Sequence, residues 1–148
     1  MNRSFITIRI GEYLFGIDLK HVREVNRFLD ITPVALAPEY VTGLMNLRGQ
    51  IVTVIDPGIK LHLDKRKISK SSRCVILKTI SEDATSTLKD ILGILVDSIG
   101  DIFTISSSDI ESSPPNIGDI DIQLISGIVK LEQELLIILQ MDSLLQAA

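Results

Sequence analysis

The chain has 148 residues, a formal charge of −4, only six aromatic side chains (four Phe, two Tyr, no Trp) and one cysteine. That length supports one domain or two small subdomains on a shared core, and an acidic chain with no basic, aromatic-interleaved face is not a nucleic-acid binder. A lone cysteine makes no internal disulfide, no apolar run approaches the roughly 20 residues of a membrane helix, and residues 1–12 lack the features of a signal peptide, so a soluble cytoplasmic protein is expected.

Phe5 to Ile10 alternates, with Ile6, Ile8 and Ile10 on one face. Gly11-Glu12 interrupts, and Tyr13, Phe15 and Ile17 alternate again, which predicts a hairpin. Asp18 is a candidate N-cap for one or two helical turns, and Glu24 to Arg27 returns to a strand. Ile31 to Val34 and Ala37-Pro38 are extended connectors, because proline fixes its own φ and restrains the residue before it. Pro38 to Val41 reads as the opening of a short helix with proline at its first position.

The most patterned stretch is Gly43-Leu44-Met45-Asn46-Leu47-Arg48-Gly49-Gln50-Ile51-Val52-Thr53-Val54-Ile55-Asp56. An apolar run stops at Asn46-Leu47-Arg48-Gly49 and resumes as a β-branched run, which predicts two strands joined by a tight bend with one cation at the bend. Pro57-Gly58 ends the hairpin, and Ile59 to Leu63 forms a short turn. Strands are expected at Arg73–Ile80 and Ile91–Ile99, separated by a polar loop, Ser81 to Lys89, and Asp101 to Ile105 is extended. Ser106 to Asp119, rich in Ser, Pro, Gly and Asp, reads as a surface excursion. Ile120–Lys130 and Leu135–Gln140 form the last strand pair, turning at Glu132-Gln133-Glu134, and Asp142 caps a final helix, Ser143 to Ala147. Many short strands with little helix point to barrels or a sandwich, and barrel closure would remove exposed edges.

Little in the chain resembles reactive chemistry. His21 and His62 have no second His or Cys at metal-ligand spacing, and the aspartate pairs Asp97/Asp101 and Asp119/Asp121 lack the spacing and terminal Glu of a calcium loop. There is no nucleophile elbow and no phosphate-binding glycine motif. Cys74 opens a strand and is expected to be a buried, inert thiol. No enzyme, cofactor or metal site is expected. Lys65-Arg66-Lys67 is expected to be a solvated loop. Arg48 allows two readings: an exposed turn arginine, or a guanidinium that pairs with a carboxylate and orders a binding edge. The best partner is Glu24, which lies between Val22 and Val25, if the first strands fold back onto the hairpin.

The Gly43–Asp56 segment resembles the signature of the chemotaxis coupling protein CheW family, whose pattern there is roughly G-[VI]-[IL]-N-L-R-G-x-[IV]-V-P-V-[IV]-D-L. The resemblance extends over nearly the whole chain: Phe5 to Val25, Ile31 to Tyr40, Leu92 to Ile99, and Ser126 to Leu131 with the strand after it. It implies a mainly β fold of two small five-stranded, SH3-like β-barrels with a few short helices in one domain, residues 1–148. The approximate subdomains would be 1–56 with 136–148, and 57–135. It implies a non-catalytic adaptor that couples the cytoplasmic tip of methyl-accepting chemoreceptors to the regulatory domain of the histidine kinase CheA. The adaptor would be monomeric or weakly self-associating within arrays at the inner membrane face, and not inserted in the membrane. By position, Val22, Glu24, Gly43, Arg48 and Gly49 fall on the family's receptor-facing and signalling residues, with Glu24 and Arg48 on its acidic–basic pair. Gly93, Asp97 and Ile102 fall on the matching segment of the second barrel. Ala35 and Thr53 stand where the family usually has proline, Pro57 replaces a leucine, and Gln140-Met141-Asp142 is an atypical ending. An adaptor of a specialised pathway, such as a type IV pilus or gliding system, is the alternative. A small-ligand-binding barrel is a more remote one.

Overall fold

The computed structural model of the chain describes residues 1–78, 91–112, 117, 118 and 120–146. Its strands are β1 (Asn2–Ile10), β2 (Tyr13–Asp18), β3 (Val22–Asn26), β4 (Val41–Leu47), β5 (Gln50–Ile55), β6 (Arg73–Leu77), β7 (Ile91–Val96), β8 (Ser98–Ser106), β9 (Ile125–Lys130) and β10 (Leu135–Leu139). Two short helices, α1 (Pro57–Lys60) and α2 (Met141–Leu145), accompany them. The strands form two five-stranded sheets, in the orders β8-β1-β2-β10-β9 and β3-β6-β7-β5-β4.

Both sheets are apolar on two faces, and the period of two in their strands sorts side chains between cores. Ile6, Ile8 and Ile10 of β1 face a central cluster that also receives Val75 and Leu77 of β6, Ile94 and Val96 of β7, and Ile137 and Leu139 of β10. The alternate residues of those strands go elsewhere. Cys74, Ile76 and Leu95 join Met45, Val52 and Val54 behind the second sheet, while Leu136 and Ile138 join Phe5 and Leu14 behind the first. Continuous apolar runs such as Leu136–Leu139 are therefore buried on both sides, which hides any amphipathic alternation.

The β1–β2 hairpin turns at Gly11, whose φ is +62°, and Asp18 caps a 3-10 turn, Leu19–His21, by accepting the Lys20 amide at 3.0 Å. Several expectations are corrected. Pro38 to Val41 is a turn closed by the Val41 amide on the Pro38 carbonyl (2.9 Å), not a helix, because Val41 already pairs with Ile55 in β4. The expected strand Ile91–Ile99 breaks at Asp97: β7 belongs to the second sheet and β8 to the first. Sheet membership does not follow chain order. Strands β3, β4 and β5 lie with β6 and β7, while β1 and β2 lie with β8, β9 and β10. Strand partnership depends on crossovers, including the parallel pairs β2–β10 and β5–β7, which no local pattern encodes. The last helix begins at Met141, so Asp142 is in its first turn, and the capping position is held by Gln140. Lys60 of α1 holds that helix in place, donating to the Leu144 and Gln146 carbonyls at 2.6 and 2.9 Å. The polar loop Ser81 to Lys89, Ile80, Pro114-Pro115, Asp119 and Ala147 lie outside the described residues.

Candidate recognition site

The bend that stands out in the sequence is a two-residue hairpin turn. Leu47 pairs with Gln50, and the residues between them both have positive φ, +50° at Arg48 and +85° at Gly49. Two left-handed residues make the mirror-image turn whose twist matches that of the strands it joins. The Asn46 side chain secures it, its Oδ1 accepting the Gly49 amide at 2.8 Å. The turn therefore depends on Asn46 and Gly49, and it leaves the Arg48 side chain projecting from the end of the hairpin.

Glu24 meets it there. The two residues come from opposite edges of the second sheet, β3 and the β4–β5 turn, so the sheet must curve enough to bring its edges together at this end. Arg48 Nη2 donates to Glu24 Oε2 at 2.6 Å, and Arg23 Nε lies 3.9 Å from the same oxygen. The hydrogen bond from Arg48, helped by the charges of Arg48 and Arg23, holds the Glu24 carboxyl below the usual range, and the Arg48 guanidinium is raised in return. Arg48 is largely exposed, so the contact contributes little to stability; it sets the direction of one cation and one anion on the surface.

Gly43 lies on the same hairpin for a different reason. A Cβ there would collide with the Thr32 carbonyl oxygen and approach Ile31 Cγ2 to 2.8 Å. The residue is bare because the proline-rich approach lies against β4, bonded through the Thr32 amide to the Leu44 carbonyl and the Leu44 amide to the Thr32 carbonyl, both at 2.8 Å. Gly43→Ala is expected to push segment 31–33 away and lose both bonds, at a cost of about 1–2 kcal/mol. Hydrogen exchange should then speed up at the Thr32 and Leu44 amides and remain slow in β6. Unchanged protection at those two amides would contradict this account.

The remaining candidates lie apart from this pair. Val22 begins β3 and packs against the central core. Gly93 is buried, with Cys74 Sγ 2.5 Å from where its Cβ would be. Ile102 is exposed on β8, an edge of the first sheet. Asp97 stands where the chain crosses between sheets, accepting the Gly11 amide at 2.8 Å on Oδ2, which is also in contact with Arg66 Nη1.

Arg66 corrects the expectation of a solvated basic loop. Its side chain is only 6% exposed and reaches Asp97, the Asp64 carbonyl (2.6 Å) and Asp56, whose Oδ1 lies 3.6 Å from Nε. Asp56 also caps α1 by accepting the Gly58 amide at 2.9 Å, and it accepts the Arg66 amide at 2.6 Å. Burial raises the Asp56 carboxyl, and Arg66 and these amides oppose the rise. Among the described residues no group of three or more His, Cys, Asp or Glu is placed to hold a metal.

Sequence reasoning missed the exposed apolar side chains on and next to the strands that carry the pair. Ile51 of β5 and Phe28 are 58% and 73% exposed, and Val25 follows Glu24 on β3 with 40% exposed. Asp30, Thr32, Leu44, Asn46 and Ile51 line a shallow groove along the hairpin. One signal was available: Val52 and Val54 point inward, so the period of two puts Ile51 on the outward face of β5.

A family model described as CheW-like domain matches residues 4–148. The chain is 32% identical to the chemotaxis protein CheW of Treponema pallidum over 145 residues, covering 95% of this chain and 81% of that protein. It is 31% identical to the chemotaxis protein CheW of Bacillus subtilis, covering 96% and 86%. Protein FrzA of Myxococcus xanthus is 26% identical over 148 residues, covering 99% and 87%. The crystal structure of the scaffolding protein TtCheW from Thermoanaerobacter tengcongensis superposes with a TM-score of 0.83 at 30% identity, covering 99% of this chain and 90% of that one.

Proposed function

This chain belongs to the CheW-like domain family, and from that premise we propose that it is a non-catalytic cytoplasmic adaptor coupling chemoreceptors to the histidine kinase CheA. The observation that carries the proposal is the Glu24–Arg48 contact, an oriented ion pair on a sheet whose strands β3 and β5 also expose Val25 and Ile51, with Phe28 exposed just past β3. A protein interface combines these features: apolar area supplies the contact, and fixed charges at its rim choose the partner and the register. Gly43 and Gly49 shape the hairpin that presents Arg48, and Val22 anchors the start of the strand that carries Glu24 in the central core. We assign Ile102, exposed on the edge of the other sheet, to a separate contact, so that one adaptor engages two partners at once. Each contact alone is expected to be weak, with strength coming from multivalent assembly.

Reversing the cation tests the reading. Arg48→Glu is expected to lower receptor-dependent activation of the kinase by about tenfold in a reconstituted assay, because it replaces an attraction at the interface rim by a repulsion. The unfolding midpoint should stay near that of the parent, because exposed substitutions seldom change stability by more than about 0.5 kcal/mol. The double exchange Glu24→Arg/Arg48→Glu restores the pair and should recover part of the loss. Full coupling by Arg48→Glu would remove the pair from the mechanism.

A second reading is an adaptor of the same family in a separate sensory pathway. The similarity to FrzA and the departures at Thr53 and Pro57, just beyond the signature bend, support it. The two readings differ in which receptor and kinase co-purify with the chain from its native cells.

A further inference from the structure

We propose that residues 65–73 form a preorganised docking strip for a short acidic peptide segment of a partner protein. The strip reads Lys-Arg-Lys-Ile-Ser-Lys-Ser-Ser-Arg, five cations and no carboxylate. With Asp64 beside it the segment carries +4, so in a chain of net charge −4 the remainder carries −8.

Its side chains are divided by role. Arg66 is turned inward and held by Asp56, Asp97 and the Asp64 carbonyl, whereas Lys65, Lys67, Ile68 and Lys70 are exposed. The rest of the strip is tied down as well. The Ser69 amide donates to Ser72 Oγ at 2.8 Å, Ser71 Oγ donates to the Asp97 carbonyl at 2.9 Å, and Arg73 Nη1 donates to the Lys70 carbonyl at 3.0 Å. The buried arginine thus fixes the backbone on which the three lysines stand. Among the described residues none of those lysines pairs with a carboxylate, so an incoming anion would meet three like charges on one fixed backbone.

The form of that anion follows from the surroundings. An extended polyanion, whether a membrane surface or a nucleic acid, would meet the net negative remainder of the chain as well as the strip. A short acidic segment can stay within about one Debye length, roughly 8–10 Å, of the lysines alone. Ile68, 53% exposed among them, offers an apolar contact that suits a peptide with a hydrophobic residue amid its carboxylates.

The test is a titration of the full chain with a labelled peptide of about six glutamates around one leucine, followed by fluorescence anisotropy and amide chemical shifts. Saturable binding is expected at about 0.03 M salt, weakening roughly tenfold by about 0.3 M, with shifts centred on residues 65–73. Lys65→Glu/Lys67→Glu/Lys70→Glu should lose at least about tenfold in affinity with an unchanged unfolding midpoint. If that variant does not fold, the three lysine-to-glutamine changes serve for the same comparison. Absence of saturable binding, undiminished binding by the lysine variants, or shifts centred elsewhere would overturn the proposal. Tighter binding to phosphatidylglycerol vesicles or to a single-stranded oligonucleotide of matched charge would overturn the peptide assignment.

Discussion

Replacing Arg66 by alanine is expected to destabilise the fold by about 3–5 kcal/mol, because it removes one partner of a buried ion pair and leaves the other charged. The Asp56 side chain is 2% exposed and has no other cation near it among the described residues. It would keep the Gly58 and Arg66 amides, which do not supply a full charge. Asp97 would lose its guanidinium while still holding the Gly11 amide of the β1–β2 turn. Arg66 therefore connects the end of β5 in one sheet to the crossover and hairpin that lead into the other. Lys67→Ala, one residue along and exposed, should change stability by no more than about 0.5 kcal/mol. Arg66→Lys should recover only part of the loss, since an ammonium cannot fork between Asp97, the Asp64 carbonyl and Asp56 as a guanidinium does. Urea unfolding of the three variants decides the matter, and equal midpoints for Arg66→Ala and Lys67→Ala would refute the latch.

A methyl group added at Gly93 is expected to cost about 1–3 kcal/mol by overpacking the core behind the second sheet. The new Cβ would lie 2.5 Å from Cys74 Sγ and 3.2 Å from both Ile76 Cδ1 and Val52 Cγ1. Cys74 behaves as a small hydrophobe in that core: burial pushes its thiol up to about 12, so it stays neutral across the physiological range. Removing the sulfur makes room. Cys74→Ala combined with Gly93→Ala should therefore be more stable than the sum of the two single losses predicts, a coupling readable by unfolding of all four proteins. The cycle also separates two roles for Gly93. If it supports signalling only by packing, the double variant should recover receptor-dependent kinase activation along with stability. Persistent loss of coupling in a restabilised double variant would assign Gly93 a contact of its own.

Much of the architecture is local in origin and therefore legible without a structure. Two of the hairpins announce themselves by β-branched runs around Gly11 and around Arg48-Gly49, where tight turns require positive φ. Asp18 and Asp56 stand before short turns because their carboxylates can accept the amides just ahead. The Glu24–Arg48 partnership was also nameable, since each is an ion in an apolar setting. Arg66, flanked by Lys65 and Lys67 in a segment rich in serine, has by contrast the local appearance of a solvated cation. Its partners are 10 and 31 residues away, and burial is a property of what folds over a residue rather than of its neighbours in the chain.

The sequence by itself determined most of the segments that become strands and where the Gly11 and Arg48-Gly49 turns fall, because these follow from backbone sterics and the period of two. The tertiary structure alone decided that the chain changes sheets at Asp97, that Arg66 is an internal latch, that Gly93 is bare to make room for a thiol, and that the curvature of the second sheet brings Glu24 to Arg48. Those outcomes come from long-range strand pairing and from packing two sheets around one core, where a contact is set by the whole arrangement and no short stretch of chain encodes it.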